Sequence, residues 1–189
     1  MNIAVIGHGP SLMGQGNGDY IDSFDVVVRM KNCGKTLGTP DYGNKIDALC
    51  LSTEVLGLVD KVTAGMFWLY AKNGKYDEAL TFDAVARKGA PFMIPLDLMN
   101  YWNAHFQSMG ARHPCVSTGL AAVIIAAHYH EPEKITLAGF DTLLDPGKPF
   151  TRNDAIPRTG VGDISHDWRT ENALLEVVAD TYKFTVAAL

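Results

Sequence analysis

Short, continuous apolar runs separated by polar or glycine-rich stretches pattern this chain. Residues 3–6 (IAVI), 25–30 (DVVVRM), 46–51 (IDALCL), 66–70 (MFWLY) and 135–138 (ITLA) each read as a strand, and residues 92–95 (FMIP) as a further one. Runs that are apolar throughout, rather than alternating, predict parallel strands buried on both faces. Between them lie helical patterns. Residues 118–129 (TGLAAVIIAAHY) are apolar nearly all round, which predicts a helix buried on every side. Residues 170–182 (TENALLEVVADTY) carry Leu174, Leu175, Val177 and Val178 on one side and carboxylates on the other, an amphipathic helix. Residues 76–88 predict another helix. Glycine, proline and lysine crowd residues 144–162, which predicts a mobile loop and a candidate lid. Alternating strands and helices, with no internal repeat or linker, predict one α/β domain over residues 1–189. Its architecture should be a three-layer α/β/α sandwich on a mostly parallel, Rossmann-like sheet. Ligands of such sheets bind beyond the carboxyl ends of the strands.

Composition narrows the partners. The chain has 189 residues, 47% of them hydrophobic and 20% charged, with a formal net charge of −5. That balance fits a globular domain and argues against a general nucleic-acid binder, which needs a basic surface. No apolar stretch approaches the ~20 residues of a membrane span. No basic region followed by a long apolar segment marks a signal peptide. The 3 cysteines, Cys33, Cys50 and Cys115, have no metal-ligand spacing and fit free thiols in a reducing compartment. A cytoplasmic location is expected.

Three stretches can carry chemistry. Gly7 and Gly9 follow the first strand in GHGPSL, where backbone can approach a ligand and N–H groups can hold phosphate. The bland alternative is a tight turn. The pattern is no dinucleotide fingerprint, since Leu12 occupies the third glycine position. Ser117-Thr118-Gly119 precede the buried helix and are either a plain N-cap or an anion site on the helix dipole. His166 and Glu171 stand in SHDWRTE before the last helix, where a histidine suits proton transfer near neutral pH. A surface histidine and a capping glutamate are the plain readings of that pair. Tyr70, Tyr101 and Trp102 are either core aromatics or platforms for sugar rings.

Together these pieces resemble the sialyltransferases of glycosyltransferase family 29. Residues 3–45 resemble the long sialyl motif, through Gly7, Leu12, Gly18, Ile21-Asp22, Asp25, Arg29-Met30, Asn32, Gly38, Asp41, Gly43 and Lys45. PCVSTGLAAVIIAAHYHEPEKITLAGFD resembles the short motif, with Ser117-Thr118-Gly119 and Gly139-Phe140. His166 to Glu171 is similar to the very short motif. The likeness runs over residues 3–175, and GHGPSL also looks like the GNGPSL of bacterial family 42 sialyltransferases.

The resemblance implies a metal-independent, inverting transferase with a GT-A-like variant fold and no cofactor. Its donor would be a cytidine-monophosphate (CMP) sugar carrying a sialic acid or a related acid such as Kdo. Its acceptor would be a glycan or lipopolysaccharide hydroxyl. His166 would be the general base, supported by Glu171. Gly7, His8, Gly9 and Asn32 would line the nucleotide pocket. Ser117, Thr118 and Gly119 would receive a phosphate or sugar carboxylate, and Gly139 and Phe140 the cytosine or ribose. The chain departs from the family in three places. His8 stands where the family has asparagine. The family's disulfide positions fall on Ile3 and His130, so that bridge is absent. The third motif's histidine has no counterpart near residues 150–153, so either Arg152 substitutes or the activity is weakened. Absence of a preceding anchor or stem fits the cytoplasmic expectation. Other readings are a nucleotide-binding protein that has lost turnover, another Rossmann-like enzyme such as a methyltransferase or NAD-dependent oxidoreductase, and a non-enzymatic structural role.

Overall fold

A computed structural model describes residues 1–31, 33–52, 63–71, 85–86, 88–146 and 166–189. Most of the expected 76–88 helix, most of the expected 144–162 lid, Asn32 and Arg152 lie outside the described residues.

Among the described residues, seven strands form one parallel sheet. They are β1 (Asn2–Ile6), β2 (Val26–Met30), β3 (Ala48–Ser52), β4 (Met66–Tyr70), β5 (Ala90–Met93), β6 (Lys134–Ala138) and β7 (Thr185–Ala188), in the order β5-β4-β3-β2-β1-β6-β7. Every pairing is parallel. The register sets Ile3 against Val26 on one side and Ile135 on the other. The helices are α1 (Gly18–Asp22), α2 (Leu96–Ser108), α3 (Thr118–His130), α4 (Asp141–Leu144) and α5 (Trp168–Tyr182).

Because both faces of the sheet are covered, each strand is apolar along its whole length while alternate residues enter different cores. Ile3, Val5, Val28, Cys50, Trp68, Tyr70, Ile135 and Leu137 pack toward α2, α3 and α5. Ala4, Ile6, Val27 and Ala138 pack on the other face with Leu12, Ile21, Phe24 and Tyr42, while Leu49, Leu51, Phe67 and Leu69 meet Val85 there. Residues Gly119 to Ala127 of α3 are all buried, as the all-round apolar pattern predicts. The architecture is the expected α/β sandwich on a Rossmann-like sheet. Among the described residues, no helix is long and apolar enough to cross a membrane.

Two elements escape the strand-and-helix pattern. Helix α2 buries Met99, Trp102 and Phe106, a helical spacing diluted by polar neighbours. Strand β7 is a short edge strand whose burial runs exposed, half-buried, half-buried, exposed, so no apolar run announces it. The fifth strand is Ala90–Met93 rather than residues 92–95, because Pro95 is already the N-cap of α2. All three cysteines are buried and outside any disulfide, and burial pushes the Cys33 thiol up to about 11.

After β1 the chain moves outward through β2, β3, β4 and β5. After β6, on the other side of β1, it moves outward to β7. The order reverses between β1 and β6, and the reversal opens the crevice where ligands of such sheets bind. The ends of the two strands are fastened there: Gly7 N–H donates to Ala138 O at 2.7 Å and Gly9 N–H to Gly139 O at 2.8 Å. A Cβ on Gly7 would stand 2.2 Å from Gly139 O, and Gly139 has φ +69°. We expect Gly7→Ala to lower the unfolding free energy by about 3 kcal/mol, because backbone must move. Gly14→Ala, at φ +75° with nothing within 4 Å, should cost about 1 kcal/mol. Urea unfolding curves would compare the two, and equal losses would contradict the close approach.

Candidate functional site at the carboxyl edge of the sheet

Three segments distant in sequence meet at the β1–β6 reversal. They are the loop after β1, the N-terminus of α3 and the first turn of α5.

The glycines after β1 approach protein. Besides its contact with Gly139, a Cβ on Gly7 would lie 3.0 Å from the Phe140 ring, and a Cβ on Gly119 would lie 2.7 Å from another edge of that ring. Phe140 is a buried spacer between the β1 loop and the start of α3. The N–H groups of Gly7 and Gly9 are engaged with carbonyls at the end of β6, so a phosphate here would need other donors. His8, half-buried, places Nε2 2.6 Å from Lys31 O at the end of β2. A carbonyl only accepts, so that nitrogen carries a proton. Asp141 Oδ2 accepts from Ser11 N–H at 3.3 Å and lies across Gly9, where a Cβ would be only 2.0 Å from it.

The start of α3 is both capped and cross-linked. Ser117 is the N-cap, and its Oγ accepts from Leu120 N–H at 3.2 Å. The hydroxyl proton then goes to Glu171 Oε2 at 2.5 Å, while Ser117 N–H donates to Glu171 Oε1 at 3.2 Å. Glu171 is 1% exposed, a carboxylate placed at the positive end of the α3 dipole. It therefore joins α5 to α3, a role beyond capping its own helix. Thr118 Oγ1 accepts from the buried Tyr70 hydroxyl at 2.9 Å. Burial pushes that phenol well above its ordinary range, so it stays a donor. Thr118 and Gly119 occupy the first turn, where backbone N–H groups have no intrahelical acceptor. They are the donors that the α3 terminus has to offer.

His166 stands beside this carboxylate, with Nδ1 3.5 Å from Glu171 Oε1. Its ring stacks on Trp168, centroids 4.4 Å apart and planes 26° apart. Between them, Asp167 is buried and accepts from Arg112 N–H at 3.1 Å. Burial pushes the Asp167 carboxyl up, but hydrogen bonds from Arg112 and Thr170 and the Arg112 charge outweigh it, leaving the group below the usual carboxylate range.

The expected residues thus divide. Gly7, His8, Gly9, Ser117, Thr118, Gly119, Gly139, Phe140, His166 and Glu171 come together at one edge. Asn32 and Arg152 lie outside the described residues. Tyr70 and Trp102 are core, each 1% exposed, whereas Tyr101 is 59% exposed. Trp168, Asp167 and Asp141 were not foreseen. Of these, only the adjacency of Trp168 to His166 within SHDWRTE was a signal the sequence offered.

Other residues of the long-motif pattern build a clasp. Asp22 Oδ1 accepts from Asn44 N–H at 2.9 Å and from Lys45 N–H at 2.8 Å. Asp41 accepts from Gly14 and Gly16 N–H, each at 2.8 Å, and Lys45 Nζ donates to the Phe24 carbonyl. Arg29 is fully buried, with Nε on Lys45 O at 2.8 Å and Nη2 on Tyr42 O at 2.5 Å. These bonds hold the loop between β2 and β3 against α1 and place the Tyr42 hydroxyl 3.2 Å from Gly9 O.

No protein-family model and no curated protein matches the chain. Solved structures do. A mammalian sialyltransferase crystal structure superposes with a TM-score of 0.62 at 17% identity, over 98% of this chain and 68% of the other. A mammalian sialyltransferase in complex with Gal-beta-1-3GalNAc-ortho-nitrophenol superposes with a TM-score of 0.59 at 16% identity, again over 98% and 68%. The chain has a sialyltransferase-like fold, and at this identity the likeness is one of fold.

Ser117→Ala should lower stability by about 2–3 kcal/mol, because it removes the cap of α3 and one of the donors to a buried carboxylate. Chemical denaturation would read it. A loss below about 0.5 kcal/mol, the range of an ordinary surface change, would mean that the Ser117–Glu171 link does not hold the helices together.

Proposed function

We propose that this chain is an inverting glycosyltransferase of the sialyltransferase type, which moves a sialic acid or related acidic sugar from a CMP-sugar to a glycan hydroxyl. The observation that carries the reading is the meeting of His166, Glu171 and the α3 N-terminus at the β1–β6 reversal. It gives a base, an orienting carboxylate and an anion-binding helix end on one crevice. The sialyltransferase-like fold supports it, and a neighbour crystallised with a Gal-beta-1-3GalNAc compound supports a sugar acceptor.

In this mechanism Nε2 of His166 takes the proton of the acceptor hydroxyl. The oxygen attacks the anomeric carbon as the bond to the phosphate oxygen breaks, and that electron pair leaves with CMP. Attack from the face opposite the leaving group inverts the carbon. CMP departs as an anion, so it needs charge stabilisation more than a strong acid. The N–H groups of Thr118 and Gly119 are aimed at that task through the helix dipole. His8, with a nitrogen on the Lys31 carbonyl, borders the same crevice. The acceptor class, glycan or lipopolysaccharide, follows from the resemblance.

The second reading, a nucleotide-binding protein without turnover, draws on the lack of a histidine in residues 150–153. Calorimetric titration with CMP, against AMP, UMP and NAD, separates these classes. Selective CMP binding is expected; adenine-nucleotide binding, or none, would reject the transferase. His166→Ala should then lower CMP-sugar transfer by about 10²–10⁴-fold with CMP affinity unchanged. Wild-type CMP binding without transfer or hydrolysis would favour the binding protein.

A further inference from the structure

We propose that Trp168 is a positioning residue for His166. Its indole face and the Glu171 carboxylate together hold the imidazole as the Nδ1–H tautomer, with Nε2 as the basic nitrogen. The inference deepens the transferase reading and rests on His166 as its base.

The backbone sets the arrangement. Asp167 is the N-cap residue of α5, with φ −109° and ψ 74°, and separates His166 from Trp168. The His166 and Trp168 rings stack, while the Asp167 carboxylate reaches Arg112. Its carboxylate is anchored by Arg112 N–H at 3.1 Å and lies 3.6 Å from Arg112 Nε. The middle residue is pinned to the segment before α3 while its two neighbours stack.

The edge contact alone is loose. Nδ1 and Glu171 Oε1 are 3.5 Å apart, long for a hydrogen bond though close enough for strong attraction. A ring held only by such a contact can rotate about its Cβ–Cγ bond. Stacking at 4.4 Å and 26° restrains that rotation, because turning the imidazole would drive its edge into the indole.

Glu171 fixes the proton. Both carboxylate oxygens already accept from Ser117, one from its N–H and one from its hydroxyl. Facing Nδ1, the carboxylate offers lone pairs, so Nδ1 carries the hydrogen and Nε2 the lone pair. Free histidine favours the other tautomer. When Nε2 takes a proton, the cation meets a carboxylate at its edge and an aromatic face beside it, both stabilising.

Long-range ¹H–¹⁵N NMR of the histidine-labelled full chain, above the imidazole titration, reads the tautomer without any substrate. We expect wild-type His166 to show a protonated Nδ1 and an unprotonated Nε2. Trp168→Leu should give mixed tautomers and a fall in transfer kcat of about tenfold or more, with KM for the donor little changed. Trp168→Phe keeps an aromatic face and should retain both the tautomer and most of kcat. It also serves if the leucine variant fails to fold. An Nε2–H tautomer in the wild type overturns the proposal, as does a folded Trp168→Leu with unaltered tautomer and kcat. A phenylalanine variant as impaired as the leucine variant would make Trp168 merely structural and overturn it too. A chain with the Nδ1–H tautomer, lost in Trp168→Leu, but no affinity for CMP would keep the positioning and sink the transferase reading.

Discussion

The site depends on how closely two backbones approach at the reversal of the sheet. Gly7 and Gly9 lie directly on the end of β6, each donating its N–H to a carbonyl there. No side chain fits between Gly7 and Gly139. This contact brings the loop after β1 beside Phe140, and Phe140 in turn spaces that loop from α3. The α3 terminus is then joined to α5 through Ser117 and Glu171, and Glu171 faces His166. A chain of contacts thus runs from the interior of the sheet to the proposed base through glycines, hydrogen bonds and a packed ring, and ends on the 3.5 Å contact between Glu171 and His166.

The clasp between β2 and β3 supports the other side of the crevice. Carboxylates of Asp22 and Asp41 bind backbone N–H groups, and the buried Arg29 guanidinium binds backbone carbonyls. Desolvation lowers the Arg29 pKa, with the charge of Asp22 among the opposing effects, and its Nη1 has no hydrogen-bond partner among the described residues. A buried, desolvated cation costs stability relative to an apolar side chain. What it supplies is a fixed path for residues 42–45, from which the Tyr42 hydroxyl reaches Gly9 O.

Much of the fold was legible because a parallel sheet covered on both faces writes itself as short apolar runs. Helix α3 was legible for the same reason, being buried all round. Helix α2 and strand β7 were not: Met99, Trp102 and Phe106 stand among polar neighbours, and β7 is a half-exposed edge. In the site, Ser117, Glu171 and His166 were found as separate motifs, and their meeting is a product of tertiary structure. Gly7 and Gly9 were readable as a place of close approach. Glycine looks the same in sequence whether a phosphate or a peptide approaches it, so the partner, Gly139, was not. The stacking of Trp168 on His166 depends on the backbone angles at the N-cap of α5, a detail of φ and ψ that residue identities do not specify.

The interior position of β1 bears on how the chain assembles. Its neighbours are β2, which begins at Val26, and β6, which begins at Lys134. During synthesis β1 can pair early on one side only. Its other edge, apolar and with unmet backbone groups, waits until the residues of β6 have been made. Contacts so distant in sequence slow folding, because loop closure must precede the gain from pairing. An unpaired strand edge also invites association with other chains in the interval. The crevice is therefore among the last parts of the molecule to form, and a nascent chain has a half-built sheet before it has a site.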